Sequence, residues 1–213
     1  MMRRYEQSGV ALLVVLVFML ALTGLGLMSA RLALGGEALA RNQLDHEVAF
    51  QAAEAALRDA ERDLMLAPGV QPANARCARG SDRQSGVDVN LFTEDCLRGQ
   101  CDRDMSTEGA RDYATGSSDV ANSGERWWPN GKGGKWNNAT DKGSTGKCIF
   151  DGAVPLGTFT GSQNLVAVAR QPEYLIEYTK RSGGRVVFRI TSRGFGYRQG
   201  SEVVLQSYFL SPE

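Results

Sequence analysis

The sequence predicts an α+β protein: one long N-terminal helix packed on a C-terminal antiparallel β-sheet, with a loop-rich, cysteine-bearing region between them. Three observations carry this reading. An apolar run lies near the N-terminus, a helical repeat of apolar residues follows it, and three β-branched and aromatic runs stand near the C-terminus. At 213 residues, the chain has room for one compact domain and a substantial extra element.

The apolar run, residues 10–30, reads VALLVVLVFMLALTGLGLMSA and holds no ionisable side chain. As a helix its 21 residues span roughly 31 Å at about 1.5 Å per residue, matching a hydrocarbon core. A secretory signal has a shorter apolar region followed by a small-residue cleavage pattern, whereas here Arg31 follows directly. Arg3 and Arg4 precede the run, so the short N-terminal flank is expected to stay cytoplasmic and the rest of the chain to be exported. Gly24 and Gly26, with Thr23 and Ser29, suit close helix packing in a membrane. The run by itself fits a plain uncleaved anchor equally well.

Helical spacing continues to about Leu66, since no proline occurs before Pro68. Phe50, Ala53, Leu57, Ala60 and Leu64 recur at three and four residues and form the expected docking stripe, with Leu44 and Val48 extending an adjacent face. Any interruption of the helix is expected at Gly24–Gly26 or Gly35–Gly36. Its first half is apolar all round and its second half amphipathic.

Residues 67–165 lack periodicity and are rich in turn chemistry, as in Asn130-Gly131-Lys132-Gly133-Gly134. A stretch that long needs a staple or a function. Cys77, Cys96, Cys101 and Cys148 all lie in it, an even number downstream of a membrane segment, which points to disulfides in an oxidising compartment with three connectivities open. Short strands or helical turns are expected within it, for example around 87–92. From residue 174 the strand signals are clear: 174–179, 186–192 and 203–210, with Ser182-Gly183-Gly184 as a hairpin turn and Gly194 to Gly200 as a longer connection. Val186, Phe188 and Ile190 alternate with Val187, Arg189 and Thr191, so one covered face is expected, with the helix as its cover.

Several chemistries fail on inspection. Charge is balanced, 24 basic against 24 acidic residues, so a large basic field for nucleic acid is not indicated. His46, the only histidine, sits between Asp45 and Glu47 on the helix with no nucleophile in pattern, and reads as a solvent-facing residue. The cysteines are separated by 18, 4 and 46 residues, which is not a zinc spacing. Gly131-Lys132, Gly134-Lys135 and Gly146-Lys147 lack the earlier glycine of a P-loop, its place being held by Arg126, Pro129 and Asp141. Asp102 and Asp104, with Asp82, Asp88 and Asp95, are weak calcium candidates without ordered ligand spacing, so solvated loop acids are expected and no metal or cofactor. Trp127, Trp128 and Trp136 are binding anchors if exposed and a satellite core if buried, and burial is the favoured reading. The expectation is a chain that is not an enzyme.

Ser8-Gly9-Val10-Ala11-Leu12-Leu13-Val14 resembles the processing region of type IV pilins and type II secretion pseudopilins, and Ala49-Phe50-Gln51-Ala52-Ala53-Glu54-Ala55-Ala56-Leu57-Arg58 resembles the PilX family of minor pilins. The likeness covers residues 5–66 strongly and the C-terminal strands more loosely. It implies a pilin-like fold and five segments: leader 1–9, membrane segment 10–30, amphipathic helix 31–66, cysteine region 67–165 and sheet 166–213. It implies cleavage by a prepilin peptidase between Gly9 and Val10, with methylation of the new N-terminus. Implied partners are other minor pilins, the major pilin and a tip adhesin, in an inner membrane with the head in the periplasm. Pilins usually carry a glutamate at the fifth mature position, where this chain has Val14. PilX-like minor pilins and K-type pseudopilins resemble it in lacking that acid. The resemblance thus implies a subunit at the tip or initiation complex of a type IV pilus. The alternatives are a K-like pseudopilin and, in another class, a membrane-anchored periplasmic binding module.

Overall fold

The structure is a computed structural model that describes residues 10–66, 70–79, 91–93, 96–102, 127, 134–136, 148, 151–180, 186–198 and 200–210. Helix α1 occupies Val10–Met65 and is continuous, passing through both glycine pairs without a break. A Cβ at Gly24, Gly26, Gly35 or Gly36 would meet nothing, so these glycines leave the helix surface open rather than bending it. The chain forms two compact units, Met1–Leu44 and Asp45–Glu213. In the first, apolar side chains such as Leu12, Phe18 and Leu32 stand exposed around the helix.

In the second unit, strands β1 Gln100–Asp102, β2 Val154–Pro155, β3 Glu173–Lys180, β4 Val186–Phe195 and β5 Glu202–Leu210 form one sheet in the order β1-β3-β4-β5, with β2 also on β3. β3, β4 and β5 pair antiparallel, as their sequences predict. The sheet is nevertheless mixed, because β1 from the cysteine region runs parallel to β3, Cys101 lying opposite Glu177. β1 and β2 both come from the loop-rich stretch, where short strands or helical turns are all that the sequence leads one to expect. Gly194 and Phe195, expected in the connection, close β4 instead. The expected strand at 87–92 and the Ser182-Gly183-Gly184 turn lie largely or wholly outside the described residues.

The core sits between α1 and one sheet face. Ala56, Ala60 and Leu64 of the helix meet Tyr174, Ile176, Phe188 and Ile190, joined by Phe92, Val154 and Phe159. The opposite face is covered as well, which corrects the expectation of a single covered face. Cys96, Cys101, Trp136 and Ala153 pack there on Leu175, with Trp127 alongside, so these two tryptophans belong to a second small core. Burial of the polar side of β4 is tolerable because its charges are matched across the strands. Arg189 lies opposite Glu177 and donates to it at 2.7 and 2.8 Å, and Arg193 lies opposite Glu173 and donates at 3.0 and 2.5 Å. Burial pushes the Glu173 carboxyl up from its ordinary value, although the charges of Arg193 and Arg170 oppose that shift.

Candidate functional site

The face that α1 turns to the sheet is built from small and acidic residues. Asp45, Ala49, Ala52, Ala56, Asp59 and Asp63 follow one another at spacings of four and three, and all are buried, as are Ala53, Ala60 and Leu64. That alternation keeps them in one row on the helix. Alanines let the sheet come close: a Cβ on Gly194 of β4 would collide with the helix backbone at Ala49, Ala52 and Ala53. Gly196 similarly abuts Asp45. Phe50 is not part of this row. It is 37% exposed and faces a groove of about 550 Å³ shared with Gln51, Val166 and Tyr197. Leu57 is half-buried against the core, and Leu44 is exposed.

Each of the three acids fastens a different part of the head to the helix. The Asp45 carboxylate accepts a hydrogen bond from the Ser201 hydroxyl and others from the backbone N–H groups of Tyr197, at 2.6 Å, and Arg198, at 3.3 Å, closing the β4–β5 turn onto α1. Chiefly the Ser201 bond, then those two N–H groups and the Arg198 charge, hold its pKa below the usual carboxylate range, although burial works the other way. Asp59 accepts from the Gly157 N–H at 2.8 Å, the Ser162 hydroxyl at 2.5 Å and the Thr160 hydroxyl, pinning the segment after β2. Asp63 receives the guanidinium of Arg79, with Nε at 2.9 Å from Oδ1, and the Tyr174 hydroxyl at 2.9 Å. Arg79 also donates to the Arg98 carbonyl at 2.7 Å and lies over the Phe159 ring at 3.7 Å. Burial opposes the Arg79 charge, yet Asp63 holds the guanidinium above its ordinary value. Burial, then the Asp63 charge, push the Tyr174 phenol far up, so it stays a neutral donor.

The remaining site residues are placed as follows. Cys77 is joined to Cys148 and Cys96 to Cys101. Val10 opens α1 and Val14 stands half-exposed on it, while Gly9 lies outside the described residues. Asp102 ends β1, its side chain undescribed, and Asp104 is outside the described residues. Among the described residues no three His, Cys, Asp or Glu side chains gather as a metal site, and His46 is exposed on the helix.

A long apolar helix, continuous with an amphipathic half that carries a disulfide-bearing sheet, defines a pilin-like protein. The apolar part is long and apolar enough to cross a membrane, and it suits a membrane anchor. The family models agree with this layout. The PilX N-terminal model matches residues 8–58, and the model for the C-terminal part of the type IV pilus assembly protein PilX matches 99–211. The chain belongs to the PilX family of type IV pilus assembly proteins. The second match starts within the cysteine region, so the family extends further than the N-terminal and strand likeness alone indicated. No curated protein and no solved structure matches the chain.

Proposed function

We propose that this chain is a minor pilin that sits at the tip or in the initiation complex of a type IV pilus and promotes its assembly. Residue Val14 carries the reading. A processed subunit has a free, positively charged N-terminal amine among apolar helices, and an isolated charge there costs several kcal/mol unless it is paired. The early glutamate usual in pilins supplies that pairing for the subunit already above. A subunit that is never added beneath another has no amine to neutralise, and Val14 avoids burying an acid without a partner. The same reading makes Gly9–Val10 the prepilin peptidase site, places the head in the periplasm with α1 rooted in the inner membrane, and names other minor pilins, the major pilin and a tip adhesin as partners. It assigns the chain no enzymatic role.

Tagged protein extracted from membranes in detergent is the test. Its intact mass is expected to correspond to a chain starting at Val10 with a methylated amine, and other minor pilins are expected to co-purify with it. A mass that retains Met1, or purification without any pilin partner, would contradict the proposal.

A further inference from the structure

One long edge of the sheet has no cover among the described residues. There β5, Glu202–Leu210, hydrogen-bonds through its backbone to β4 alone. Its pairing runs without a bulge from Glu202 opposite Phe195 to Leu210 opposite Val187. Along its nine residues every second one turns its N–H and C=O outward, leaving about four donors and four acceptors in a row. Sheet edges are commonly blunted by lysine, proline, a bulge or shortness. β5 has none of these, whereas β1 and β2 are only three and two residues long. The side chains beside the edge agree with the backbone. Val204 and Tyr208 lie opposite Arg193 and Arg189, on the face away from α1, and together with Leu210 they stand exposed. Glu202 is the only charged residue of the strand.

We propose that the β5 edge is a docking site for an extended, apolar strand donated by a different protein. The donated strand pairs with the β5 backbone and covers Val204, Tyr208 and Leu210. A row of unpaired strand groups is matched by another strand and not by a helix, whose own backbone groups are already bonded. A second copy of this chain does not fit. Two β5 edges joined in one continuous sheet are related by a two-fold axis normal to that sheet. Such an axis sets the two α1 helices, which lie along the sheet from Ala49 to Leu64, in opposite directions. Two chains rooted in one membrane through that helix run the same way. The exposed row selects apolar side chains on the donor, with a neutral or basic residue opposite Glu202, since like charges directly opposite repel. The inference rests on α1 being a membrane anchor and not on where the subunit stands in a filament.

The test uses the full chain in detergent and a fluorescent peptide of the β5 sequence, EVVLQSYFL, followed by two lysines for solubility. A free peptide carries no helix, so it can pair antiparallel about Gln206. That register sets its Val204 against Tyr208 of the chain and its Leu210 against Glu202, with no like charges opposed. Fluorescence polarisation is expected to show saturable binding. Hydrogen exchange of amides 202–210 is expected to slow at least fivefold in the bound chain, with 173–180 changing less than twofold. A peptide carrying V204P and S207P cannot pair along its length and is expected to bind at least tenfold more weakly. The same loss is expected for the parent peptide on the chain variant V204K/Y208K, whose two positions are exposed and accept lysine without disturbing the core. No slowing at 202–210, or equal binding by the proline peptide or by V204K/Y208K, would overturn the docking site. Outward amides of β5 already protected in the chain alone, or a dimer without peptide that V204K/Y208K abolishes, would overturn the assignment to a strand from another protein.

Discussion

Asp63→Ala is expected to destabilise the head by about 3–5 kcal/mol, the cost of stranding one member of a buried ion pair. Arg79 is 6% exposed, sits over Phe159 and donates to Asp63 through two nitrogens, so the substitution leaves its charge with only the Arg98 carbonyl and the Gln100 amide oxygen as the further acceptors described. Tyr174 loses the acceptor of its hydroxyl in the same step. Urea unfolding of the detergent-solubilised chain, followed by tryptophan fluorescence, measures this as a lowered midpoint. Removing both charges, as in D63L/R79L, is expected to recover part of the loss, since no member of the pair is then left as a buried charge without its counterion, although the Tyr174 hydroxyl still loses its acceptor. Arg58→Ala is the contrast: its pair with Glu54 is exposed, and the change is expected to cost no more than about 0.5 kcal/mol. Equal effects for Asp63→Ala and Arg58→Ala would show that the buried network contributes nothing special.

Gly194→Ala is expected to cost about 3 kcal/mol, the upper part of the range for overpacked cores. The added methyl would be driven into the helix backbone at Ala49, Ala52 and Ala53, where no flexible side chain can move aside. Only separation of β4 from α1 relieves the clash, and that also draws Gly196 and the β4–β5 turn away from Asp45. Gly200→Ala, which meets open space, is expected to fall within about 0.5 kcal/mol of the parent. The same urea titration distinguishes the two. A Gly194→Ala midpoint as near the parent as that of Gly200→Ala would contradict the close-approach account.

The long helix and the three major strands could be read directly, because α1, β3, β4 and β5 are long and their composition is strongly patterned. β1 could not: three residues, Gln100–Asp102, are too few to show an alternation, and their parallel pairing is set by a fold that brings Cys101 beside Glu177. The docked face of α1 was misassigned at Phe50 for a definite reason. Periodicity weights large apolar side chains, but a helix in backbone contact with a strand needs small ones, so the true row is Asp45, Ala49, Ala52, Ala56, Asp59 and Asp63. Its four-three spacing was present in the sequence. What makes the aspartates tolerable inside was not, since their partners, Arg79, Gly157, Tyr174 and Ser201, are supplied from distant segments.

The buried acids concern how the head is built; the central claim concerns where the subunit stands. If Val14 marks a subunit that is never added beneath another, it occurs once or a few times per filament and only at the distal end. Immunogold labelling of a tag on the head, viewed on sheared pili by electron microscopy, tests this most directly. The account predicts gold at one end of a filament and bare shafts elsewhere; gold at regular intervals along the shaft would contradict it.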